Sequence, residues 1–341
     1  MFAKKNLIAV AALATLAVSA QAQSSVTLYG NVDASLTYVK TKIQGAGSST
    51  TTGVDSSVLT DSFFGLKGQE DLGGGLKAIF KLESSIDVDT GAQADGNFFG
   101  KNAYVGLVGG FGTLTLGNQE SLFKTEAAAF DAFGSSRLMA ASNTLFVGAT
   151  ALGGSWQNTI GYTSPNLNGL TLSAQHSARE TNAGKSALTV NGGATAVAAN
   201  YSAGALGLSA VYGDVRNTAG AAGAEQNKAW LLGASYDFGA VKGFAQYGQD
   251  KMEDASGADE KAKFFQIGAV VPVTQAGAVH ASYGQTKVDD AKARQFSLAY
   301  HHGLSKRTSV YAGVTYTKDE QLFSITEDKT TALAFGLRHA F

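Results

Sequence analysis

The sequence contains no cysteine, only 2 prolines, and no long hydrophobic run beyond its first residues. Without cysteine, an exported chain has no disulfides and must be held together by other means. Such a low proline content argues against a long disordered tail. After residue 22, no stretch approaches the roughly 20 consecutive apolar residues of a transmembrane helix. These absences exclude a disulfide-stabilised domain and a helical membrane protein.

An excess of positive charge is also missing, since 26 Lys and Arg stand against 27 Asp and Glu. This balance argues against a nucleic-acid-binding protein, which would carry a basic surface. Residues 1–22 combine Lys4 and Lys5 with the apolar run LIAVAALATLAV and an Ala20-x-Ala22 site. They predict a secretory signal peptide cleaved after Ala22, with an amphipathic helix as the alternative. The mature chain, residues 23–341, then has 24 basic and 27 acidic residues, a net charge of −3.

What the sequence has in abundance is glycine, at 42 residues, and aromatic residues, including 19 Phe and 12 Tyr. The closing segment TALAFGLRHAF shows how they are used. Its bulky positions, Leu333, Phe335, Leu337 and Phe341, alternate with small residues and with Arg338. A period of two predicts a strand with two unlike faces. Comparable segments recur along the whole mature chain, beginning with SVTLYGNVDASLTYV.

The connections between these segments alternate in length. Seven are tight turns: EDLGGG, VGGFG, SPNLNG, YSAGAL, DFGAVK, PVTQAG and HGLSKR. The others are longer and polar, as in residues 41–57. Seven turns that join strand pairs, with one strand left at each end, give sixteen strands. An even strand number with short turns at one rim and long loops at the other is typical of a transmembrane barrel.

The second face of each strand is small and polar, so it would make a poor core for a soluble sandwich or solenoid, the alternative folds. It can line water if the sheet closes and the apolar face meets lipid, which also pairs every backbone group. We therefore predict an all-β protein, a 16-stranded antiparallel transmembrane β-barrel with an aqueous lumen. Phe341 is expected at the membrane interface, in an aromatic girdle. Further expected members are Tyr29, Phe80, Tyr201, Phe238 and Tyr300.

Three segments, QSSVTLYGNVDASL, SFFGLKGQEDLGGGLKAIFKLES and KNAYVGLVGGFGTLTLGNQ, together with the final GLRHAF, resemble the general porins of Gram-negative bacteria, in particular the β-proteobacterial type. The resemblance covers the mature chain and is strongest over residues 23–120 and at the terminus. It implies a homotrimer in the outer membrane, surrounded by lipid and lipopolysaccharide. It also implies that the outer-membrane assembly machinery recognises the last strand through Phe341, and that small ions and solutes pass without a cofactor.

Residues 119–155 break the strand pattern and form the third long loop. A loop of this length is uncommon unless it is functional. Its Ala-rich centre, from Leu122 to Phe133, favours a short helix or coil with one apolar side. We predict that it folds inward and narrows the channel, as the resemblance also implies. An extracellular flap is the alternative.

Charged residues on the predicted lumen face and on this loop are the candidates for the constriction. A charge on the lipid face is costly at mid-membrane, so charges on strands should point inward or lie at the rims. Lys101 is ambiguous, because strict alternation from Tyr104 puts it on the lipid side unless a bulge resets the register. The loop is expected to place its carboxylates against a basic wall, giving weak anion preference. The candidates are Lys67, Lys77, Lys81, Lys101, Glu120, Lys124, Glu126, Asp131, Arg137 and Arg338.

The sequence departs from the porin pattern at positions that are usually basic. Such porins commonly carry a serine–arginine pair and a second arginine where this chain has Ser62-Phe63 and Lys67. An arginine commonly follows the LG of the fifth strand, where this chain has Asn118. Lysines would then act as point charges without the planar guanidinium.

Two other functions stay open. A solute-specific channel would show an aromatic track along the lumen, whereas most aromatic residues here fall on the lipid-facing parity. A barrel enzyme would need a nucleophile and a base in contact, and the five histidines, His176, His280, His301, His302 and His339, show no Ser/His/Asp grouping. No spacing of Cys, His or carboxylates indicates a metal site, and no glycine-rich stretch joins a strand to a helix as phosphate binding requires.

Overall fold

The computed structural model describes residues 25–146, 151–179, 193–216, 224–254 and 259–341. The signal peptide predicted for residues 1–22 lies outside these ranges and stays a prediction. No helix in these ranges is long and apolar enough to cross a membrane. The strands are β1 Ser25–Ile43, β2 Gly47–Ser56, β3 Phe63–Gly73, β4 Leu76–Asp87, β5 Ala92–Gln93, β6 Asn102–Gly109, β7 Gly112–Glu120, β8 Ser155–Thr163, β9 Leu170–Ser177, β10 Ala194–Ala203, β11 Leu206–Arg216, β12 Ala224–Asp237, β13 Lys242–Asp254, β14 Asp259–Pro272, β15 Gly277–Val288, β16 Ala291–Gly303, β17 Thr308–Glu320 and β18 Glu327–Ala340.

These strands form one closed antiparallel wall. Each strand of the wall pairs with its neighbours in sequence, and β1 pairs with β18 to complete the circle. β3 and β2 pair with successive halves of β1, so together they make one strand of the wall. The two residues of β5 pair with β4 alone. The wall therefore has sixteen strands, and the predicted barrel is confirmed.

All seven predicted turns join adjacent strands at one rim. In the turn between β3 and β4, Gly73, Gly74 and Gly75 have φ of 84°, 60° and 81°, a conformation that glycine adopts without steric cost. The opposite rim differs from the prediction in two places. Residues 41–57 are mostly a long hairpin of β1 and β2, because their threonines and serines pair along β1 while β18 pairs on its other side. β15 and β16 are joined by only Asp289 and Asp290.

The two faces of the wall have the predicted characters. In β18, Leu333, Phe335 and Leu337 are exposed on the outside, whereas Ala332 and Ala334 are buried on the inside. Of the expected girdle residues, Tyr201, Phe238 and Tyr300 are exposed outside. Tyr29 is an exception, because its hydroxyl donates to Glu83 Oε1 at 2.6 Å inside the lumen. The expectation that Tyr29 belongs to the girdle was wrong, because Tyr29 shares the parity of Asn31 and Asp33, which are buried on the inner face of β1.

The last residue completes the closure of the barrel. The N–H of Phe341 donates to the carbonyl of Gly30 at 3.1 Å, and the N–H of Gly30 donates to the carbonyl of Phe341 at 3.1 Å. The ring of Phe341 covers Gly30 so closely that a Cβ there would lie 2.5 Å from the ring. Through these two hydrogen bonds Phe341 joins the last strand to β1, and its ring lies on the outward face of the barrel.

Candidate channel constriction

Loop three, residues 121–154, runs from the end of β7 into the lumen. Its first helix, α1, spans Leu122–Ala129 and begins at Ser121, whose hydroxyl accepts the N–H of Lys124 at 3.1 Å and donates to the carbonyl of Leu152. A second helix, α2, spans Ala141–Leu145. Residues 151–153 form a single 3₁₀ turn before β8. The predicted short helix in the Ala-rich centre is therefore present as α1.

Loop three packs against wall positions that lack a side chain. A Cβ at Gly233 would lie 2.6 Å from Cγ of Phe130, and a Cβ at Gly284 would lie 2.5 Å from Cβ of Ala141. Because both contacts involve atoms close to the loop backbone, a larger residue would force the loop away from the wall. The set of wall glycines in such contact, here called the loop-three glycines, is Gly213, Gly233, Gly268, Gly284 and Gly313.

Side chains of the wall also satisfy backbone carbonyls of loop three. Gln246 Nε2 donates to Ala127 at 3.0 Å, His280 Nδ1 to Ala132 at 2.7 Å, Thr286 Oγ1 to Leu145 at 2.6 Å and Gln295 Nε2 to Leu138 at 3.1 Å. A carbonyl left unpaired in such a buried place would cost about 1–3 kcal/mol. The loop is thus fixed inside the barrel, as predicted, and not held as an outer flap.

A second inward element meets loop three from the opposite side. The inward segment, residues 57–62, leaves the wall between β2 and β3, and Asp33 holds it through the N–H groups of Leu59 and Thr60, both at 2.7 Å. Tyr311 donates to the other oxygen of Asp33 at 2.6 Å. The hydroxyl of Ser136 donates to the carbonyl of Val58 at 2.5 Å. Loop three therefore touches both sides of the lumen.

A polar passage remains between loop three and the wall formed by β1 to β6. On one side the passage is bounded by the surface of loop three, including α1, that faces away from β9 to β17. The other side is the inward segment, β4 and the chain that follows it. The residues lining this opening are Ser57, Asp61, Ser62, Ser85, Ala94, Asp95, Lys124, Arg137, Asn143 and Gly153.

Four charged residues form a cluster at the passage, here called the eyelet cluster: Asp61, Lys101, Glu120 and Lys124. Lys101 Nζ lies 2.9 Å from Asp61 Oδ2 and 2.9 Å from Glu120 Oε1. Lys124 Nζ lies 2.9 Å from Glu120 and 3.9 Å from Asp61. Burial alone would lower the pKa of Lys101, but the two carboxylates raise it above the usual lysine range. Lys101 precedes β6, so the alternation of that strand does not govern where it points.

Lys67 and Lys81 lie on the lumen side of the neighbouring wall. Lys81 Nζ is 3.0 Å from Glu83 Oε2, and Asn102 donates to the same carboxylate at 2.5 Å. Lys67 Nζ lies 4.5 Å from the centre of the Tyr29 ring. Among the described residues, no carboxylate is within ion-pair distance of Lys67. The lumen parity predicted for both lysines agrees with these contacts.

The two predicted acidic residues of the inner loop do not face the passage. Glu126 accepts hydrogen bonds from Asn200 and Ser209, each at 2.8 Å, and so points into the wall of β10 and β11. Asp131 is buried and accepts from the N–H of Phe133 at 2.8 Å and from the hydroxyl of Ser142 at 2.6 Å. Burial raises the pKa of Asp131, although these donors act in the opposite direction. The predicted acidic face of the loop is therefore wrong at both positions, because these carboxylates fix the loop in place.

The three remaining candidates lie at different depths. Arg137 projects from loop three and is 3.5 Å from Asp87 Oδ1 at the end of β4. Lys77 shares the face of Lys81 but is four residues nearer the short turns, or about 13 Å along the strand. Arg338 Nε donates to Asn31 Oδ1 at 2.7 Å, close to the carboxyl terminus. Arg137 therefore reaches the passage, whereas Lys77 and Arg338 lie towards the short-turn rim.

Sequence reasoning overlooked the inward segment. Asp61 belongs to the eyelet cluster, and Ser57 and Ser62 line the passage. The available signal in the sequence was Ser57-Val58-Leu59, where two adjacent apolar residues break the alternation. In the structure all three side chains are buried. At the positions that are usually basic in porins, the Phe63 ring lies 5.6 Å from Lys101 Nζ and Asn118 donates to the carbonyl of Gly100 at 2.7 Å.

In the described part of the chain, no group of His, Asp and Glu has the arrangement of a metal site. His176 and His302 pair with Thr195 and Tyr300 on the outside, both at 2.9 Å. His339 pairs with Thr308 at 2.9 Å. His280 supports loop three, and His301 lies near it with ring centres 6.2 Å apart. No contact between a histidine and a carboxylate occurs in the described ranges.

Known proteins match this chain over most of its length. The profile of the Gram-negative porin family matches residues 9–322. Outer membrane porin protein 32 of Delftia acidovorans is 33% identical, over 99% of this chain and 100% of the relative. An outer membrane porin protein of Bordetella pertussis is 30% identical, over 99% and 100%. The structure of an anion-selective porin from Comamonas acidovorans superposes with a TM-score of 0.82 at 30% identity, over 93% of this chain and 100% of that one. This chain therefore belongs to the Gram-negative porin family and forms a diffusion channel in the outer membrane.

Proposed function

We propose that the channel is a general pore for small hydrophilic solutes and ions with a weak preference for anions. One observation carries this proposal: loop three turns Glu126 and Asp131 into protein and presents Lys124 and Arg137 to the passage. The loop thus contributes positive charge to a constriction at which the wall already contributes Lys81 and Lys101. Charges in a narrow, low-dielectric opening raise the local concentration of ions of opposite sign.

The side-chain exposures of the ion-paired residues also favour a preference for anions. Lys81 is 30% exposed and its partner Glu83 2%, while Arg137 is 56% exposed and Asp87 33%. Lys124 is 24% exposed against 17% for Glu120. In each of these pairs a passing ion meets the cation more readily than the carboxylate. Lys101, at 11%, is the exception.

The remaining charges keep the expected preference weak. Lys67 adds a cation without a carboxylate partner in the described ranges. Asp95 is an exposed carboxylate at the edge of the passage and opposes the preference for anions. Because most cations here have an acidic partner within 4.0 Å, the summed field of the constriction is small. The relative from Comamonas acidovorans, described as anion-selective, supports the same direction.

We expect Lys81→Glu to move the reversal potential in a KCl gradient towards cations, because it places a second carboxylate beside Glu83. The wild type should show a small anion preference that grows at low salt, since screening shortens these fields to about 10 Å at 0.1 M. Planar-bilayer recordings on the purified protein measure both quantities.

Lys42→Glu is the matched control, because Lys42 is exposed on β1 next to Lys329 of β18, away from the passage. Its shift should be several times smaller than that of Lys81→Glu. Strong cation selectivity of the wild type, or equal shifts from the two variants, would contradict the proposed preference.

The partners predicted from the porin resemblance belong to the same proposal. We expect a homotrimer in a membrane that contains lipopolysaccharide, exported by the signal peptide of residues 1–22 and assembled by machinery that recognises the last strand. Native mass spectrometry of the purified protein tests the trimer, and the mass of a single chain would exclude it. Membership in the Gram-negative porin family, whose relatives are named as porins, supports a channel without enzymatic activity.

A further inference from the structure

A cavity lies against loop three on the side away from the passage. It is bounded by the long-loop ends of β13, β14 and β15 and has a volume of about 190 Å³. Loop three contributes Leu145 and Phe146 to its lining. The Phe146 ring stacks on the buried Phe264 of β14, with ring centres 4.9 Å apart. This opening, here called the outer cavity, is separate from the passage, which lies against β1 to β6.

The last loop, residues 321–326, covers part of the outer cavity. Asp319, near the end of β17, accepts the N–H of Leu322 at 2.8 Å and that of Phe323 at 3.1 Å. These hydrogen bonds hold both side chains at the cavity, which they line. Phe323 is nevertheless 52% exposed, and Glu260, which also lines the cavity, is exposed as well. The outer cavity is therefore open to solutes at the long-loop rim.

Two carboxylates line the outer cavity, Asp250 of β13 and Glu260 of β14, and neither has a cationic partner. Asp250 is fully buried, and its two oxygens accept from Nδ2 of Asn227 at 3.1 and 2.9 Å. Among the described residues, no lysine or arginine lies within ion-pair distance of either carboxylate. Because burial of a carboxylate without a cation is costly, a cation in the cavity would stabilise Asp250.

The basic residues beside the cavity point to the opposite face of the wall. Lys251, Lys261 and Lys287 each lie between two residues of their strand that line the cavity. Since successive side chains of a strand point to opposite faces, all three lysines are on the outside. Lys251 accordingly pairs with Asp259 at 2.8 Å, and not with Asp250. The charge that faces the outer cavity is therefore negative.

The strand register places an apolar surface beside these carboxylates. Asp250 is paired with Ala262, and Ala262 with Val288. Glu260 is the diagonal neighbour of Asp250, and such positions lie about 7–8 Å apart, so one ammonium group between them can contact both carboxylates. An apolar cavity of about 150 Å³ holds one benzene molecule. The volume of the outer cavity thus suits one aromatic ring with a short alkyl chain.

We propose that the outer cavity binds an organic ammonium ion with a compact apolar body. The ammonium group lies between Asp250 and Glu260, and the apolar body contacts Phe146 of loop three and Phe323 of the last loop. A metal ion such as Ca²⁺ takes about 6–8 oxygen ligands, whereas the outer cavity offers two carboxylates among mostly apolar side chains. The proposal goes beyond the diffusion channel, because it adds a binding site for one class of cation outside the passage.

The test is isothermal titration calorimetry of the purified, detergent-solubilised protein with phenethylammonium chloride at low salt. The wild type should bind this ion at a single site per chain. Asp250→Asn keeps the shape of the side chain and an acceptor for Asn227 but removes the charge. It should bind at least about tenfold more weakly, the order expected when a charge-assisted hydrogen bond is lost. The neutral analogue 2-phenylethanol, which has the same ring, should bind weakly and equally to both proteins.

Two further variants test the site at exposed positions, where folding is not affected. Glu260→Gln should weaken phenethylammonium binding about threefold, because a solvated carboxylate contributes less than a buried one. Phe323→Ser should also weaken it several-fold, through the lost apolar contact. Both variants should keep heat-modifiable migration.

The matched control is Glu253→Gln, which removes a carboxylate from the outward face of β13, one position beyond the cavity-lining Met252, and should bind like the wild type. Equal affinity of the wild type, Asp250→Asn and Glu260→Gln for phenethylammonium would overturn the proposal. Full displacement of phenethylammonium by equimolar MgCl₂ would also overturn it, because the site would then be one for an inorganic cation. A block of KCl conductance that is the same in the wild type and Asp250→Asn would contradict it as well, since the ion would then bind in the passage.

Discussion

Replacing two loop-three glycines, as Gly233→Leu/Gly284→Leu, is expected to raise single-channel conductance by about twofold, since the conductance of a water-filled pore follows its narrowest section. The new side chains would occupy the space of Phe130 and Ala141, whose atoms lie 2.6 and 2.5 Å from the added Cβ positions. Overpacking of this kind typically costs about 1–3 kcal/mol per site. Each wall strand is held by backbone pairing to both of its neighbours, so the loop should move and the wall should persist.

The experiment needs a readout for assembly beside the conductance. Heat-modifiable migration should be kept by the variant, and permeation of larger sugars into liposomes should rise. Gly110→Leu/Gly243→Leu is the control, because a Cβ at Gly110 meets nothing within 4 Å and a Cβ at Gly243 meets one atom at 3.5 Å. An assembled Gly233/Gly284 variant with unchanged conductance would show that loop three does not depend on these contacts.

Phe341→Asp is expected to reduce the yield of assembled protein by roughly tenfold while export continues. Asp can still form the two backbone hydrogen bonds to Gly30, but it removes the ring that covers Gly30 and puts a carboxylate on the lipid-facing side. Deletion of Phe341 removes the hydrogen bonds as well, each with a net value of about 0.5–1.5 kcal/mol. Densitometry of heat-modifiable oligomer in outer-membrane fractions measures the yield.

Two control variants distinguish a specific requirement for the ring at position 341 from a general effect of losing an aromatic residue. Phe341→Tyr should assemble normally, because it keeps the cover over Gly30. Phe323→Asp makes the same chemical change at an exposed position in the last loop and should also assemble normally. Normal yield from Phe341→Asp would show that the terminal aromatic residue has no special role.

The wall could be predicted from the sequence because its determinants are local. Which face a residue of β18 occupies follows from its parity, and parity is visible in the order of Leu333, Ala334 and Phe335. Turns are equally local, since the three glycines of residues 73–75 mark a chain reversal without reference to any other strand. The same logic located loop three, because residues 119–155 are the stretch that departs from the period.

The constriction could not be predicted in the same way, since its contacts join distant parts of the chain. Whether Glu126 faces water depends on Asn200 and Ser209, which come from strands with no local relation to the loop. Asp131 is fixed by its own loop, but only after that loop has folded against the wall. Asp61 reaches the passage because Asp33 draws the inward segment away from the wall. A formal charge in the sequence does not reveal which donor will bind it.

The pairing of β1 with β18 has a consequence for the order of folding. Asn31 pairs with Ala340, whereas the seven hairpins pair residues that are close in sequence. For a flexible chain, closing a loop of about 300 residues costs about 3 kcal/mol more than closing one of ten. Long-range pairing is correspondingly slow. The hairpins should therefore form first, leaving β1 and β18 as two open sheet edges that can pair with other chains. The speed of assembly, more than the stability of the finished barrel, is then the property most sensitive to changes at the two ends of the chain.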